Sequence, residues 1–316
     1  MPHKFKVYIQ NDNEYFEYGT EDYPLRKEFL FGETLINFLY FDITEFEDIY
    51  MELGEKLKSL RTEKKPDYYG SLLAELGKMA EKHIYLELTY GVWADRLEEA
   101  LEKEFNNVEG LLPENELIKL PYKVSLLQKQ IKELFARVLD IDSGREPMGK
   151  KLAAYYNAHT AEPSDIFQFK KLQICFEPVR HEDFAEVLYP NDIYDIIGFF
   201  VKELIRREQR LRVCKNCGKY FVLRGRSNVE YCDRLIDGSE KSCRDMGAIN
   251  IWNRKKNDDE VFKLYRREYK RRFGWIRAGK ISPDEFYKWS EIAREQKTRC
   301  DNGEISLDEF NAWLKK

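Results

Sequence analysis

Cys214-Lys215-Asn216-Cys217-Gly218-Lys219-Tyr220-Phe221, then Tyr231-Cys232, then Ser242-Cys243-Arg244 is the stretch around which the chain is organised. Four of the six cysteines fall here, spaced C-x2-C, then fourteen residues, then C-x10-C. The first pair followed by Gly218 has the form of a zinc knuckle. A tight turn there lets backbone N–H groups point at thiolate sulfurs, and glycine supplies the left-handed conformation the turn requires. Phe221, Val222 and Leu223 predict a short strand, and 224–228 a hairpin turn. Ser242 with Asp245 three residues on is a capping box, which places Cys243 in the first turn of a helix, where the helix dipole and a cation both favour a thiolate. Four sulfurs with no open position suit one structural Zn2+ held by Cys214, Cys217, Cys232 and Cys243. The competing readings are two disulfides or four unrelated buried thiols. Knuckle spacing in a chain expected to be cytoplasmic favours the metal. Residues 233–241 must loop out between the last two ligands, and Gly238 permits it.

Leu211-Arg212-x-Cys214, the Cys217-x3-Phe221 spacing, Tyr231-Cys232 and Cys243-Arg244-x-x-Gly247-Ala248 carry a resemblance. They look like the C-terminal four-cysteine treble-clef zinc finger of an uncharacterised bacterial family, a domain of unknown function. They are also similar to the CGNR-type zinc finger, whose members are presumed to bind DNA. The likeness spans 211–272, and Cys243-Arg244-Asp245-Met246 stands where that signature reads Cys-Gly-Asn-Arg. It implies a zinc-bound treble clef and DNA as a partner.

The chain has 316 residues, enough for two domains or one large domain with an appendage. Hydrophobic residues at 43% support a core, and charged residues at 35% point to helix-rich architecture. No apolar run reaches eighteen residues, so no membrane span is expected. The opening Met-Pro-His-Lys-Phe-Lys-Val lacks a signal-peptide apolar region, which predicts a reducing, cytoplasmic setting. Net charge is −4, yet 202–278 holds 22 Lys/Arg against 11 Asp/Glu, so the rest is strongly acidic. Either the basic part meets an anionic partner, or it matches the acidic body internally.

The expected fold is mainly α with a few short strands (α+β): a helical body, a treble-clef-like finger and C-terminal helical hairpins. The expected domains are an acidic, mostly helical body at 1–210 with a sub-boundary near 141–147, the finger at 211–256, and a basic helix with a repeat at 257–316. Alternation of Phe5, Val7 and Ile9 predicts a strand over 4–10, and Tyr15, Phe16 and Tyr18 a second. Thr44 with Glu47 predicts a capped helix start. Residues 83–90 read as strand or helix, ahead of a helix over 93–105. A strand is expected over 167–176 with Cys175 as a buried core thiol, and a long helix over 191–210. The histidines are His3, His83, His159 and His181, and no catalytic motif is present, so no enzyme is expected. His181-Glu182-Asp183 reads as an exposed turn.

After the finger, Met246, Ile249 and Trp252 predict a helix face packed on the knuckle. Asn257 with Glu260 predicts a capped restart, leading into a helix that interleaves basic residues with Phe262, Tyr265, Tyr269 and Phe273. That pattern marks Arg244, Arg254, Lys255, Arg266, Arg267, Lys270 and Arg271 as candidate phosphate contacts. A solvated face packing through its aromatics is the competing reading. A 24-residue repeat follows: Gly279-Lys-Ile-Ser-Pro-Asp-Glu-Phe-Tyr-Lys-Trp289 returns as Gly303-Glu-Ile-Ser-Leu-Asp-Glu-Phe-Asn-Ala-Trp313. Each copy predicts a glycine stop, a Ser N-cap with a returning Glu, and an Ile–Phe staple. Calcium ligands of the EF-hand type are missing from the second copy, so the hairpins are expected to serve a protein partner. The leading reading is a zinc-binding, non-enzymatic DNA-binding or regulatory protein whose body binds a partner or ligand. The alternatives are a scaffold in which zinc only staples the fold, and an enzyme with an active site in the N-terminal body.

Overall fold

The computed structural model describes residues 3–64, 67–106, 108–159, 165–180, 183–236 and 238–315, with the backbone alone at 180 and 252–258. Internal contacts group the chain into two units, Met1–Val213 with Lys219–Val229, and Cys214–Gly218 with Glu230–Lys316. Helices dominate, with short antiparallel strands, so the fold is mainly α of the α+β kind.

The first unit opens with a meander of β1 (Lys4–Gln10), β2 (Asn13–Gly19) and β3 (Pro24–Leu30). Helices α1 (Glu33–Leu39), α2 (Glu47–Glu63), α3 (Asp67–Ala80), α4 (Ile84–Glu102), α5 (Glu114–Ile118), α6 (Leu120–Leu134) and α7 (Met148–Ala158) follow. The chain then returns to the sheet with β4 (Ile174–Arg180) and β5 (Asp183–Leu188), and continues through α8 (Ile193–Arg206), β6 (Leu211–Val213) and β7 (Tyr220–Val222). The sheet order is β3-β2-β1-β5-β4. Pairing of Val7 with both Phe16 and Leu188 puts three buried side chains on one face. Phe200 of α8 and Tyr85 of α4 lie over Phe16, with ring centroids 5.9 and 6.0 Å away. Each such burial contributes about 1.5–3 kcal/mol. Helix α8 is buried nearly all round, from Ile193 through Phe199 and Phe200 to Leu204, which its almost unbroken apolar run requires.

A polar knot sits inside this core. The N-terminus of α1 has Gly32 as its cap residue, with no side chain to offer. Glu14 of β2 supplies the acceptors instead, taking the Gly32 N–H at 2.6 Å and the Thr34 N–H at 3.3 Å. Burial pushes the Glu14 carboxyl up to about 8, partly offset by the Thr34 and Gly32 donors. Nearby, His83 Nδ1 accepts from Tyr85 N at 3.2 Å and caps α4. Burial drives this imidazole down to about 4, so it is neutral and its Nε2 donates to the Thr34 carbonyl at 3.2 Å.

Several expectations are corrected. Residues 83–90 and 93–105 are not separate elements, because α4 runs unbroken through both from Ile84 to Glu102. Thr44 does not cap α2. Its hydroxyl donates to Asp42 at 2.6 Å, a local turn that competes with the cap, and the helix begins at Glu47 after a 3-10 turn. The strand expected over 167–176 begins only at Ile174, while Phe167 is buried and stacks on Tyr194 at 4.7 Å. Cys175 is exposed rather than buried, because β4 is the outer strand of the sheet. His181 and Glu182 lie outside the described residues.

The second unit contains α9 (Cys243–Asp258), α10 (Glu260–Arg277), α11 (Pro283–Asp301) and α12 (Leu307–Leu314). The repeat folds as its residues dictate. Gly279 and Gly303 take φ of +66° and +77° and end the preceding helices. Both capping boxes close: Ser282 N to Glu285 at 2.8 Å and Ser306 N to Glu309 at 2.7 Å, with the serine hydroxyls accepting in return. Phe286 and Phe310 are buried, and Trp289 and Trp313 half-buried. Helix α10 starts from Asp259, whose carboxylate accepts from Phe262 N at 2.8 Å, and not from Asn257.

Candidate metal centre

The knuckle is a turn on the covalent path between β6 and β7. Gly218 closes it, with φ +71° and its N–H on the Cys214 carbonyl at 2.9 Å. The predicted strand is β7, but it pairs with β6 and not with a strand beyond the 224–228 turn. The return is made by Lys215 N donating to Glu230 O at 3.1 Å, which lays Tyr231-Cys232 beside the knuckle. The ten-residue gap closes as a small hairpin. Leu235 bridges Ser242, Cys243 N donates to Arg234 O at 2.8 Å, and Gly238 turns the tip at φ +73°. Cys232 and Cys243 thereby come together despite their separation. The Ser242–Asp245 box forms as expected, with Ser242 N on Asp245 at 2.8 Å.

The four sulfurs of Cys214, Cys217, Cys232 and Cys243 lie within 4.8 Å of one another, which is compatible with one bound metal ion. Cys217 and Cys232 are 3.7 Å apart, too far for a disulfide and close to the edge, roughly 3.8 Å, of a tetrahedron with bonds of about 2.3 Å. Cys214, Cys232 and Cys243 are buried, and Cys217 is the most accessible of the four. Donors converge on the sulfurs. Cys232 N reaches Cys214 Sγ at 3.4 Å, Asn216 Nδ2 reaches Cys243 Sγ at 3.2 Å, and Arg234 Nη1 lies 3.7 Å from Cys232 Sγ. Burial pushes the Cys214 thiol up, but backbone N–H groups of Cys217, Cys232 and Asn216 outweigh it and bring it to about 7. Burial and the neighbouring Cys214 hold Cys232 up, at about 12. The Cys214 thiolate thus opposes ionisation of Cys232, a repulsion that a bound cation would offset.

Three supporting residues escape a reading that looks for ligands alone. Asn216, between the knuckle cysteines, is 7% exposed and also accepts from Asn250 at 3.4 Å. Gly247 must be glycine, since a Cβ there would fall 2.2 Å from Tyr231 Cδ1. The face of α9 turned to the knuckle is therefore Cys243, Gly247 and Asn250, at helical spacing. The expected face of Met246, Ile249 and Trp252 is corrected accordingly: Ile249 is 51% exposed, Met246 is half-buried, and the Trp252 side chain lies outside the described residues. A buried asparagine inside C-x2-C and a glycine four residues after the last ligand were the available signals.

The candidate phosphate contacts divide. Arg266, Arg267 and Lys270 are exposed on one side of α10, joined by Lys263 and Arg277, which the sequence reading passed over. Among the described residues Lys263, Arg266, Arg267 and Lys270 have no ion pair. Arg271 is held by Glu268 at 2.9 Å. Glu268 is itself buried beneath Arg271 and Arg272, so its charge does not offset the outer face. Arg244 pairs with Asp233 at 2.8 Å. The side chains of Arg254 and Lys255 lie outside the described residues. No helix among the described residues is long and apolar enough to cross a membrane.

No curated protein and no solved structure matches the chain. The model of a family of unknown function (DUF6076) matches residues 184–315, a span that takes in all four cysteines and both copies of the repeat.

Proposed function

We propose that the chain is a zinc-stapled, non-enzymatic protein that grips the phosphate backbone of DNA with α10. Cys214, Cys217, Cys232 and Cys243 would hold one Zn2+, whose contribution is to cross-link the knuckle, the 232–243 hairpin and α9. Four thiolates around a dication leave a net negative charge, and Arg234 lies against two of the sulfurs to offset it. The observation that carries the nucleic-acid reading is the outer face of α10. Lys263, Arg266, Arg267, Lys270 and Arg277 recur along one side over about 21 Å of helix. The one acid within that span, Glu268, is turned inward. A row of cations without ion pairs among the described residues, and without interspersed acids, suits a polyanion.

The experiment is fluorescence anisotropy of labelled duplex DNA against salt. Replacing Lys263, Arg266, Arg267 and Lys270 by Gln is expected to weaken binding alike for unrelated sequences and to flatten the salt slope by about one unit per lost contact. Absence of binding by the unmodified protein at low salt rejects the reading. A protein partner is the second reading, favoured by Phe273, Tyr287 and Ile292, which are 44%, 64% and 47% exposed on the same bundle.

A further inference from the structure

The first unit contains a cavity of about 850 Å3 between α4, the α5–α6 corner, residues 166–170 and the start of α8. It is a half-open cleft, and its volume lies in the range of small-molecule sites. Its wall is largely apolar, with Val92 and Trp93 from α4, Leu120, Val124 and Leu127 from α6, and Ile166, and it also includes Thr89, Asn115 and Asn191. Trp93, Val124 and Ile166 are almost fully buried, so the surrounding packing fixes the wall.

Cations outnumber acids among the lining residues. Lys119, Lys123 and Lys170 line the opening and are exposed. Lys170 is placed over the Tyr194 ring at 3.9 Å, and among the described residues none of the three has an ion pair. Two acids also belong to the lining. Glu116 pairs with Arg96 at 3.0 Å, and Asp192 accepts from Asp195 N at 3.0 Å as the cap of α8. An occupant with a cationic head would meet three lysines against Asp192, the one acid of the lining without an ion pair among the described residues. One with an anionic head would meet complementary charge at the mouth and apolar walls behind it.

We propose that this cavity binds a small amphiphile with an apolar body and a single anionic head, of the class of fatty or aromatic carboxylates. The site is independent of the metal centre and of the DNA reading. The test uses the full-length, zinc-loaded protein with 8-anilinonaphthalene-1-sulfonate as fluorescent probe, competed by dodecanoate or by dodecyltrimethylammonium below their micelle concentrations. One saturable dye site per chain is expected, with dodecanoate displacing the dye roughly tenfold or more better than the cationic amphiphile of the same tail. Leu127→Trp, which fills the half-buried wall, is expected to weaken dye and dodecanoate alike by about tenfold or more with unchanged circular dichroism. Lys119→Glu with Lys123→Glu, on exposed positions, is expected to weaken the anionic dye and dodecanoate together and to reverse the head-group preference, read by direct calorimetric binding of the two amphiphiles to the folded variant. Dye binding that does not saturate, equal competition by both amphiphiles, or unchanged binding in folded Leu127→Trp overturns the proposal.

Discussion

In the first unit, stability comes from burial between residues distant in sequence. Val7 of β1 meets Leu188 of β5, and Phe16 meets Phe200. In the second unit, α9 offers the site little more than Cys243, Gly247 and Asn250, and α10 fully buries only Glu268. Among the described residues it has an apolar cluster built on Ala293, Phe310 and Leu314, with Trp289 and Trp313 packed against it. Among its described residues, helix caps and aromatic contacts act alongside that cluster. A metal at the four sulfurs would add a cross-link that a small core does not supply.

The largest effect expected from breaking this contrast is metal removal. Structural zinc sites of this type contribute apparent binding free energies of about 10–16 kcal/mol. Chelation, or Cys217→Ser, should therefore unfold the knuckle and α9 while the first unit keeps its amide-exchange protection. Metal analysis should find one zinc per chain, unaffected by replacing Cys175 or Cys300. Full zinc occupancy in Cys217→Ser rejects the ligand set.

Next is Phe310→Ala, which removes the centre of the tail cluster and should cost about 3–5 kcal/mol of local stability. Hydrogen exchange in α11 and α12 reads it. Zinc should stay bound, because all four ligands lie upstream, and its release would make the tail part of the finger's own core.

Glu14 in the first unit and the two capping-box glutamates in the second should respond to pH in opposite senses. Glu14 has its carboxyl raised from the ordinary 4.5 to about 8. Its contribution is fully present below 4.5 and is lost as pH rises towards 8. Glu285 and Glu309 are lowered by the Ser282 and Ser306 backbone N–H groups they accept from. Their contribution is present above 4.5 and lost as pH falls through their folded values. Urea unfolding from pH 3 to 9 should show that Glu14→Gln removes a pH dependence confined to the first unit between 4.5 and 8, whereas Glu285→Gln with Glu309→Gln removes one confined to the second at acid pH.

Gly247→Ala follows. Alanine normally stabilises a helix interior by up to about 1 kcal/mol relative to glycine. Here the methyl group would collide with Tyr231, and a loss of about 1–3 kcal/mol is expected. Tyr231→Ala in the same chain should restore the helical gain; a stabilised single variant would show that the tyrosine moves aside freely. The smallest effect is Ser306→Ala, about 1 kcal/mol, read as faster exchange at the start of α12.

What the sequence by itself determined is whatever lies within a few residues. The capping boxes at Ser242, Ser282 and Ser306, the glycine stops and the four-cysteine frame with its knuckle were all legible, because each contact joins positions whose spacing is the geometry. The same local signal failed at Thr44, where Asp42 competed for the hydroxyl, and at Asn257, where Asp259 took the cap. Only the tertiary structure decided which strand closes on β1, that β4 is an uncovered edge exposing Cys175, and that Glu14 caps a helix eighteen residues away. It also decided that Gly247 exists for Tyr231, and that Glu268 withdraws Arg271 from the basic face while leaving Arg266, Arg267 and Lys270 outside. The reason is physical: caps and ligand spacings are fixed by backbone geometry over one turn, whereas strand order, burial and charge pairing are settled by the competition of the whole chain for the same core.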